Sequence, residues 1–208
     1  MTAVLVCGTD TDVGKTVFAA ALVQALDGCY WKPIQAGTAD GTDRMRVAEL
    51  SGLGRERVLA EVYCLTTPCS PHRAAELDGV SIDVDRMVPP TVDRPIVIEG
   101  AGGVLVPVTR DCLYADLFSR WKIPAVIVAR TALGTINHSL MTIEALRARE
   151  VTITGIAFVG DPQPDSEATI CEIGKIKRLG RLPRLPKPNP SSLREAFAAN
   201  FDLADFRA

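Results

Sequence analysis

The apolar run Val4-Leu5-Val6-Cys7 leads into Gly8-Thr9-Asp10-Thr11-Asp12-Val13-Gly14-Lys15-Thr16, and a helix-like stretch from Val17 to Leu26 follows at once. Strand, glycine-bounded polar loop and helix in that order make a phosphate-binding loop. The residue types have physical reasons: glycines let backbone N–H groups close on phosphate oxygens, and the helix N-terminus adds partial positive charge. Lys15 reaches the outer phosphates, and the Thr16 hydroxyl is a ligand for Mg²⁺. The candidate nucleotide contacts of the loop are Asp12, Val13, Gly14, Lys15, Thr16 and Val17. Five residues separate Gly8 from Gly14, one more than the usual spacing.

A phosphate loop of this kind calls for an α/β fold, a mostly parallel sheet with helices on both faces. Apolar residues make up 47% of the chain and aromatics only 5%, with Ala and Val abundant, which suits doubly covered strands. Apolar runs bounded by Gly or Pro predict strands at 3–7, 30–34, 96–99, 125–129, 153–159 and 181–182. Helices are predicted at 15–26, 43–51, 114–120, 136–149, 166–178 and 192–199. Pro89-Pro90 limits the stretch 83–95 to a brief helix and an irregular crossover. No linker or repeat interrupts the chain, so residues 1–208 read as a single P-loop NTPase-like domain.

A net formal charge of −2 with scattered Lys and Arg argues against a nucleic-acid surface and for small-molecule work. The six cysteines form no Cys-x-x-Cys pair and are expected as buried or semi-buried thiols of a reducing compartment. No charged-then-apolar leader precedes Val4, and no apolar run nears the ~18 residues of a membrane span, so a cytoplasmic protein without membrane contact is expected.

In Pro95-Ile96-Val97-Ile98-Glu99-Gly100-Ala101-Gly102-Gly103 an apolar strand ends in a carboxylate and a glycine-rich turn. Ligands of open parallel sheets sit beyond the carboxyl ends of the strands, which aims Glu99 at the crevice of the phosphate loop. Thr16, Glu99 and one further acid would make a Mg²⁺ site. Asp43, before the amphipathic run Arg44–Leu50, is the leading candidate, although an Asp there is equally suited to cap the helix. Lys32, after a strand and before Pro33, is placed to neutralise charge on a moving phosphoryl group or is a plain surface lysine.

These pieces, in order, resemble the dethiobiotin synthetase family over nearly the whole chain. Gly8–Thr16 is similar to the family's phosphate loop, extra residue included. Trp31-Lys32-Pro33-Ile34-Gln35-Ala36-Gly37, Pro68-Cys69-Ser70-Pro71-His72-Arg73-Ala74-Ala75, Ile98-Glu99-Gly100-Ala101-Gly102-Gly103 and Leu133-Gly134-Thr135-Ile136-Asn137-His138 match four further family segments. The resemblance implies an ATP-dependent cyclo-ligase that joins CO₂ to 7,8-diaminononanoate and closes the ureido ring of dethiobiotin, in biotin synthesis. One amine takes up CO₂ as a carbamate, whose oxygen attacks the γ-phosphate; the second amine then displaces phosphate from the mixed anhydride. The resemblance gives Lys15 and Lys32 catalytic roles and assigns Mg²⁺ to Thr16, Asp43 and Glu99. It assigns nucleotide contacts to Gly100, Ala101 and Gly102 and to the base-pocket stretch Pro183-Arg184-Leu185. It sets Thr11 near the diamine and implies a homodimer with substrate at the interface, the substrate carboxylate at the helix start Gly134, Thr135, Ile136 and Asn137. His138 is then a helix-start residue and His72 structural.

The chain departs from the family at three places. Ala36 stands where a hydroxyl residue touches substrate. Phe158-Val159-Gly160-Asp161 replaces the segment whose Asn-Asp pair reads adenine, which predicts a relaxed choice of nucleoside triphosphate. No tyrosine among residues 163–173 matches one that some members extend across the dimer. Asp10 also stands where partition-type and nitrogenase-type ATPases carry a lysine, which argues against their dimer switch. Two other readings compete: the amidating cobyrinic and cobyric acid synthetases, whose glutaminase domain has no counterpart in 208 residues, and a nucleotide-gated binding or regulatory protein without synthetase turnover.

Overall fold

The structure, a computed structural model, describes residues 2–207. In chain order the elements are β1 (Ala3–Gly8), α1 (Lys15–Ala25), β2 (Cys29–Trp31), β3 (Ile34–Ala36), α2 (Asp43–Ser51), β4 (Tyr63–Leu65), α3 (Pro71–Asp78), β5 (Ile96–Gly103), α4 (Tyr114–Trp121), β6 (Ala125–Arg130), α5 (Thr135–Arg147), β7 (Ile153–Val159), α6 (Pro164–Gly174), β8 (Arg178–Leu182) and α7 (Pro190–Asn200). Short 3₁₀ turns stand at Arg55–Arg57, Val84–Arg86 and Leu203–Phe206. Six strands form one sheet in the order β2-β5-β1-β6-β7-β8, every pair parallel. β1 lies between β5 and β6, so the phosphate loop leaves the middle of the sheet at its carboxyl edge.

Alternation along the strands splits the core into two layers. On β1, Val4 and Val6 face α1, α2 and α7, packing with Phe18, Val47, Leu50, Leu193 and Phe197. Leu5 and Cys7 face the other side with Ala74, Leu117, Phe118, Ile143 and Ile170 of α3 to α6. Helix α1 is buried on every side from Phe18 to Val23, because α2 and α7 cover its outer face; an all-apolar helix needs such a cover. Among the described residues no helix is long and apolar enough to cross a membrane.

Several local expectations need correction. The strand predicted at 30–34 divides at Pro33, which has no N–H for a ladder. Its carbonyl instead accepts from Val62 N at 2.8 Å, and Ile34 pairs with Tyr63 in a separate two-stranded parallel sheet of β3 and β4. The helix predicted to run to 178 ends at Gly174, Lys175 takes a left-handed φ of 45°, and Arg178 already belongs to β8. That early stop frees the Lys177 carbonyl to accept from Ile156 N at 2.9 Å. Strand β4 and helix α3 are additions that the pattern did not indicate. Cys7, Cys29 and Cys112 are buried free thiols, with burial pushing Cys7 up to about 12. Cys64 and Cys69 are exposed instead, Cys64 because it is the outward residue of β4 between buried Tyr63 and Leu65.

Candidate functional site

The phosphate loop is shaped by two close approaches. Gly14 caps α1 at φ +95°, and a Cβ there would stand 2.7 Å from Val159 Cγ1. A Cβ on Gly8 would stand 2.7 Å from Lys15 Cδ and 2.8 Å from Nζ, so Lys15 lies back over that glycine. Its Nζ donates to the Asp10 carbonyl at 2.7 Å. Burial lowers the Lys15 pKa, opposed by the Glu99 carboxylate.

Strands β2 and β5 and the starts of helices α1 and α2 bring a polar cluster under this loop. Thr16 Oγ1 lies 3.1 Å from Asp43 Oδ1 and 2.9 Å from Glu99 Oε1. Lys32, leaving β2, pairs with Asp43 Oδ2 and stands 3.8 Å from Glu99 Oε1. Glu99 is only 1% exposed, and Tyr30 donates its hydroxyl to Glu99 Oε2 at 2.8 Å. Burial pushes the Glu99 carboxyl up, against the pull of Lys32. For Lys32, burial works downward, but Glu99 and Asp43 outweigh it and hold the ammonium above its usual value. The helix cap before Asp43 is Thr42, whose hydroxyl accepts from Met45 N, so the Asp43 carboxylate stays free for the cluster. Gln35 Oε1 accepts from Asp43 N at 3.1 Å and fixes where α2 starts.

This cluster lines a cleft of about 330 Å³ with Thr11, Asp12, Gly14, Val17 and Gly102. Two carboxylates and a hydroxyl form an all-oxygen donor set, suited to a hard divalent cation that completes its shell with phosphate and water. Among the described residues no group of three His, Cys, Asp or Glu makes a ready metal cage.

The other predicted residues lie around it. Val13 is buried beneath the loop. Gly100 lies so near Phe118 that a Cβ would stand 2.7 Å from Cζ, and Ala101 packs against the core. Pro183, Arg184 and Leu185 follow β8, with Arg184 Nε 3.7 Å from Asp161 Oδ2. Gly160 has φ +138°, and a Cβ there would meet Thr131 Oγ1 at 2.3 Å, so this backbone has no room for a side chain at 160. Gly134, Thr135, Ile136 and Asn137 open α5 beside a separate cleft of about 680 Å³ with Thr131, Gln163 and Ser166. The Thr135 hydroxyl is already used, donating to the Arg130 carbonyl at 2.5 Å. Ala36 ends β3 against the core, and it is its neighbour Gln35 that reaches the cluster. Tyr30 and Gln35 escape sequence reasoning: each is a strand residue with no local sign that a distant carboxylate or helix start needs a partner.

The family model described as an AAA domain matches residues 2–192. The chain is 62% identical to the ATP-dependent dethiobiotin synthetase of Novosphingobium aromaticivorans over 99% of this chain and 100% of that protein. It is 57% identical to the enzyme of the same name from Afipia carboxidovorans, over 100% of this chain and 99% of that one. Among solved structures it is similar to the MinC:MinD cell division protein complex of Aquifex aeolicus, with a TM-score of 0.55 and 14% identity over 100% of this chain and 94% of that one. At that identity the likeness concerns the fold alone.

Proposed function

The chain belongs to the dethiobiotin synthetase family, and from that premise we propose how its own residues carry the ATP-dependent reaction. The enzyme closes the ureido ring of dethiobiotin from 7,8-diaminononanoate and CO₂. The observation that carries the site assignment is the convergence of Lys15, Thr16, Lys32, Asp43 and Glu99 in one cleft at the carboxyl edge of the sheet. Loop N–H groups and Lys15 bind the nucleotide phosphates, aided by the start of α1. Thr16, Asp43 and Glu99 would hold Mg²⁺, which supplies charge neutralisation at the phosphates when bound. Lys32, kept protonated by the two carboxylates, bridges the carbamate and the γ-phosphoryl group, so that attack by the carbamate oxygen meets fixed positive charge. Positioning and neutralisation are what phosphoryl transfer asks of a protein. Thr11, which also lines this cleft, is the residue that would face the diamine.

Adenine selectivity in this reading rests on backbone groups near Gly160 and Pro183-Arg184-Leu185, and relaxed nucleotide use is the expected consequence of a residue 160 without a side chain. A homodimer about the α5 start is supported by Leu133, fully exposed, with Met141 at 54% and Leu105 at 46% nearby along that face. The substrate carboxylate then meets free N–H groups between Gly134 and Asn137 of the partner subunit, Thr135 N being taken by the Ala132 carbonyl at 3.1 Å, while the diamine end stays at the phosphate cleft.

The test is phosphate release with Mg²⁺ and bicarbonate, with and without 7,8-diaminononanoate, using ATP and then CTP, GTP and UTP. Diamine-dependent release is expected with ATP and with at least one other nucleotide. Release that ignores the diamine would leave a nucleotide-gated binding protein instead.

A further inference from the structure

A third cleft, about 300 Å³, runs alongside the phosphate cleft and is lined mainly by apolar groups of the β5–α4 loop, Val104 to Pro107, and by Met141. Its polar wall is a pair that no mechanism above employs, Asp10 and His138. His138 Nδ1 stands 3.8 Å from Asp10 Oδ2, an ion-pair separation and not a hydrogen bond. The same carboxylate oxygen lies 3.9 Å from Arg130 Nη2, while Oδ1 accepts from Thr11 N at 2.8 Å. The Asp10 carbonyl in turn accepts from Lys15. Asp10 is therefore held between β6, α5 and the phosphate loop, one residue from Thr11 in the neighbouring cleft. Among the described residues Asp10 and Arg130 are the charged side chains at ion-pair range in this group, and what faces His138 from the β5–α4 loop is apolar.

The reaction in this reading has a proton problem. Aliphatic amines, like lysine, are ammonium ions at neutral pH, and an ammonium nitrogen has no lone pair with which to attack. In the phosphate cleft Lys32 is ion-paired with Asp43 and Glu99, Lys15 donates to the Asp10 carbonyl, and the two carboxylates are engaged with Lys32 and Thr16. Imidazole is the side-chain type that exchanges protons near neutrality. We propose that His138, oriented by Asp10, is the proton acceptor that frees the diamine nitrogens for both bond-forming steps.

The proposal rests on the synthetase reading above. Nδ1 faces Asp10, which leaves Nε2 as the accepting atom. In the first step Nε2 takes a proton from one ammonium group; the freed lone pair forms the N–C bond to CO₂, one C–O π pair becomes carboxylate charge, and the second nitrogen proton leaves to water. In the second step the other ammonium gives one proton to Nε2, its lone pair forms the second N–C bond at the carbonyl carbon of the mixed anhydride, the C–O bond to phosphate breaks with phosphate taking the pair, and the remaining extra nitrogen proton leaves to phosphate or water. Asp10 balances the imidazolium between steps. The His138 side chain is 40% exposed, so the proton passes on to bulk water.

The experiment compares His138→Gln and Asp10→Asn with the unaltered enzyme in diamine-dependent phosphate release from pH 6.5 to 9.5, with ATP binding as a check on the fold. His138→Gln is expected to lower kcat/KM for the diamine about 10²-fold at pH 7. The deficit should shrink as pH rises and the amines deprotonate unaided, and added imidazole should restore rate in proportion to its free-base form. Asp10→Asn should give a smaller loss of the same pH shape. A His138→Gln enzyme that binds ATP but shows a wild-type profile, or a loss equal at pH 7 and 9.5 that imidazole does not relieve, overturns the relay. Absence of diamine response in the unaltered enzyme would instead overturn the parent assignment.

Discussion

At the scale of single residues, the site is a problem in charge placement. Lys32 is the sole cation at ion-pair distance from both Asp43 and Glu99 among the described residues. Replacing it with Met removes the charge and keeps the bulk; phosphate release is expected to fall on the order of 10²- to 10³-fold in kcat, the usual loss of one preorganised donor, with nucleotide binding nearly unchanged in a fluorescent-analogue titration. Tyr30 holds Glu99 from the side away from Thr16. Tyr30→Phe strips the buried carboxylate of that donor and should cost about 1–3 kcal/mol in urea unfolding. Unchanged stability would mean the hydroxyl is replaceable there. Lys15, Thr16 and Glu99 were legible in the sequence because each follows an apolar run at a glycine-rich turn. Tyr30 and Asp10 were not, since their partners lie 69 residues away at Glu99 and far along the chain at His138. Only the topology brings them together.

At the scale of elements, continuous apolar runs announced β1, β5, β6 and β7, and their buried alternation on two faces explains why. Strand β4 is three residues paired only with β3, too short for a period to show. Helix α3 reads as polar, His72-Arg73-Ala74-Ala75-Glu76-Leu77-Asp78, and its start is marked by Pro71 at the first turn after Ser70. On its exposed face Glu76 takes two hydrogen bonds from Arg110 at 2.7 and 2.9 Å and one from Arg73. Those bonds depress the Glu76 carboxyl to about 2 from 4.5. A depressed carboxyl stabilises the fold above its unfolded value and loses that contribution as pH falls toward its folded one. The difference in melting temperature between the unaltered enzyme and Glu76→Gln should thus be constant above pH 5.5 and narrow between about pH 4.5 and 2, small throughout because the pair is solvent-exposed. A difference that widens on acidification would reverse the sign and refute the assignment.

At the scale of the whole molecule, the last helix and turn complete the layer over α1. Phe197 and Phe201 stack with centroids 4.8 Å apart, Phe18 meets Phe201 edge-on at 5.5 Å, and Phe206 lies 6.2 Å from Phe18. Phe206→Ala should cost about 3–5 kcal/mol, read by denaturant unfolding, although residue 206 is far from every predicted site residue in sequence. The proposed dimer belongs to this scale too: Leu133→Asp is expected to lower the sedimentation coefficient to that of a monomer and to weaken diamine use while sparing ATP binding. The ring cluster also sets an order of events in the cell. Chains are made N-terminus first, so the helix behind the phosphate loop is among the earliest segments synthesised, yet the part of its outer face that α2 does not cover stays bare until residues 193–206 have left the ribosome. A nascent chain stalled before that point would expose the ring of Phe18, which packs on Phe197, Phe201 and Phe206, to water and to chaperones.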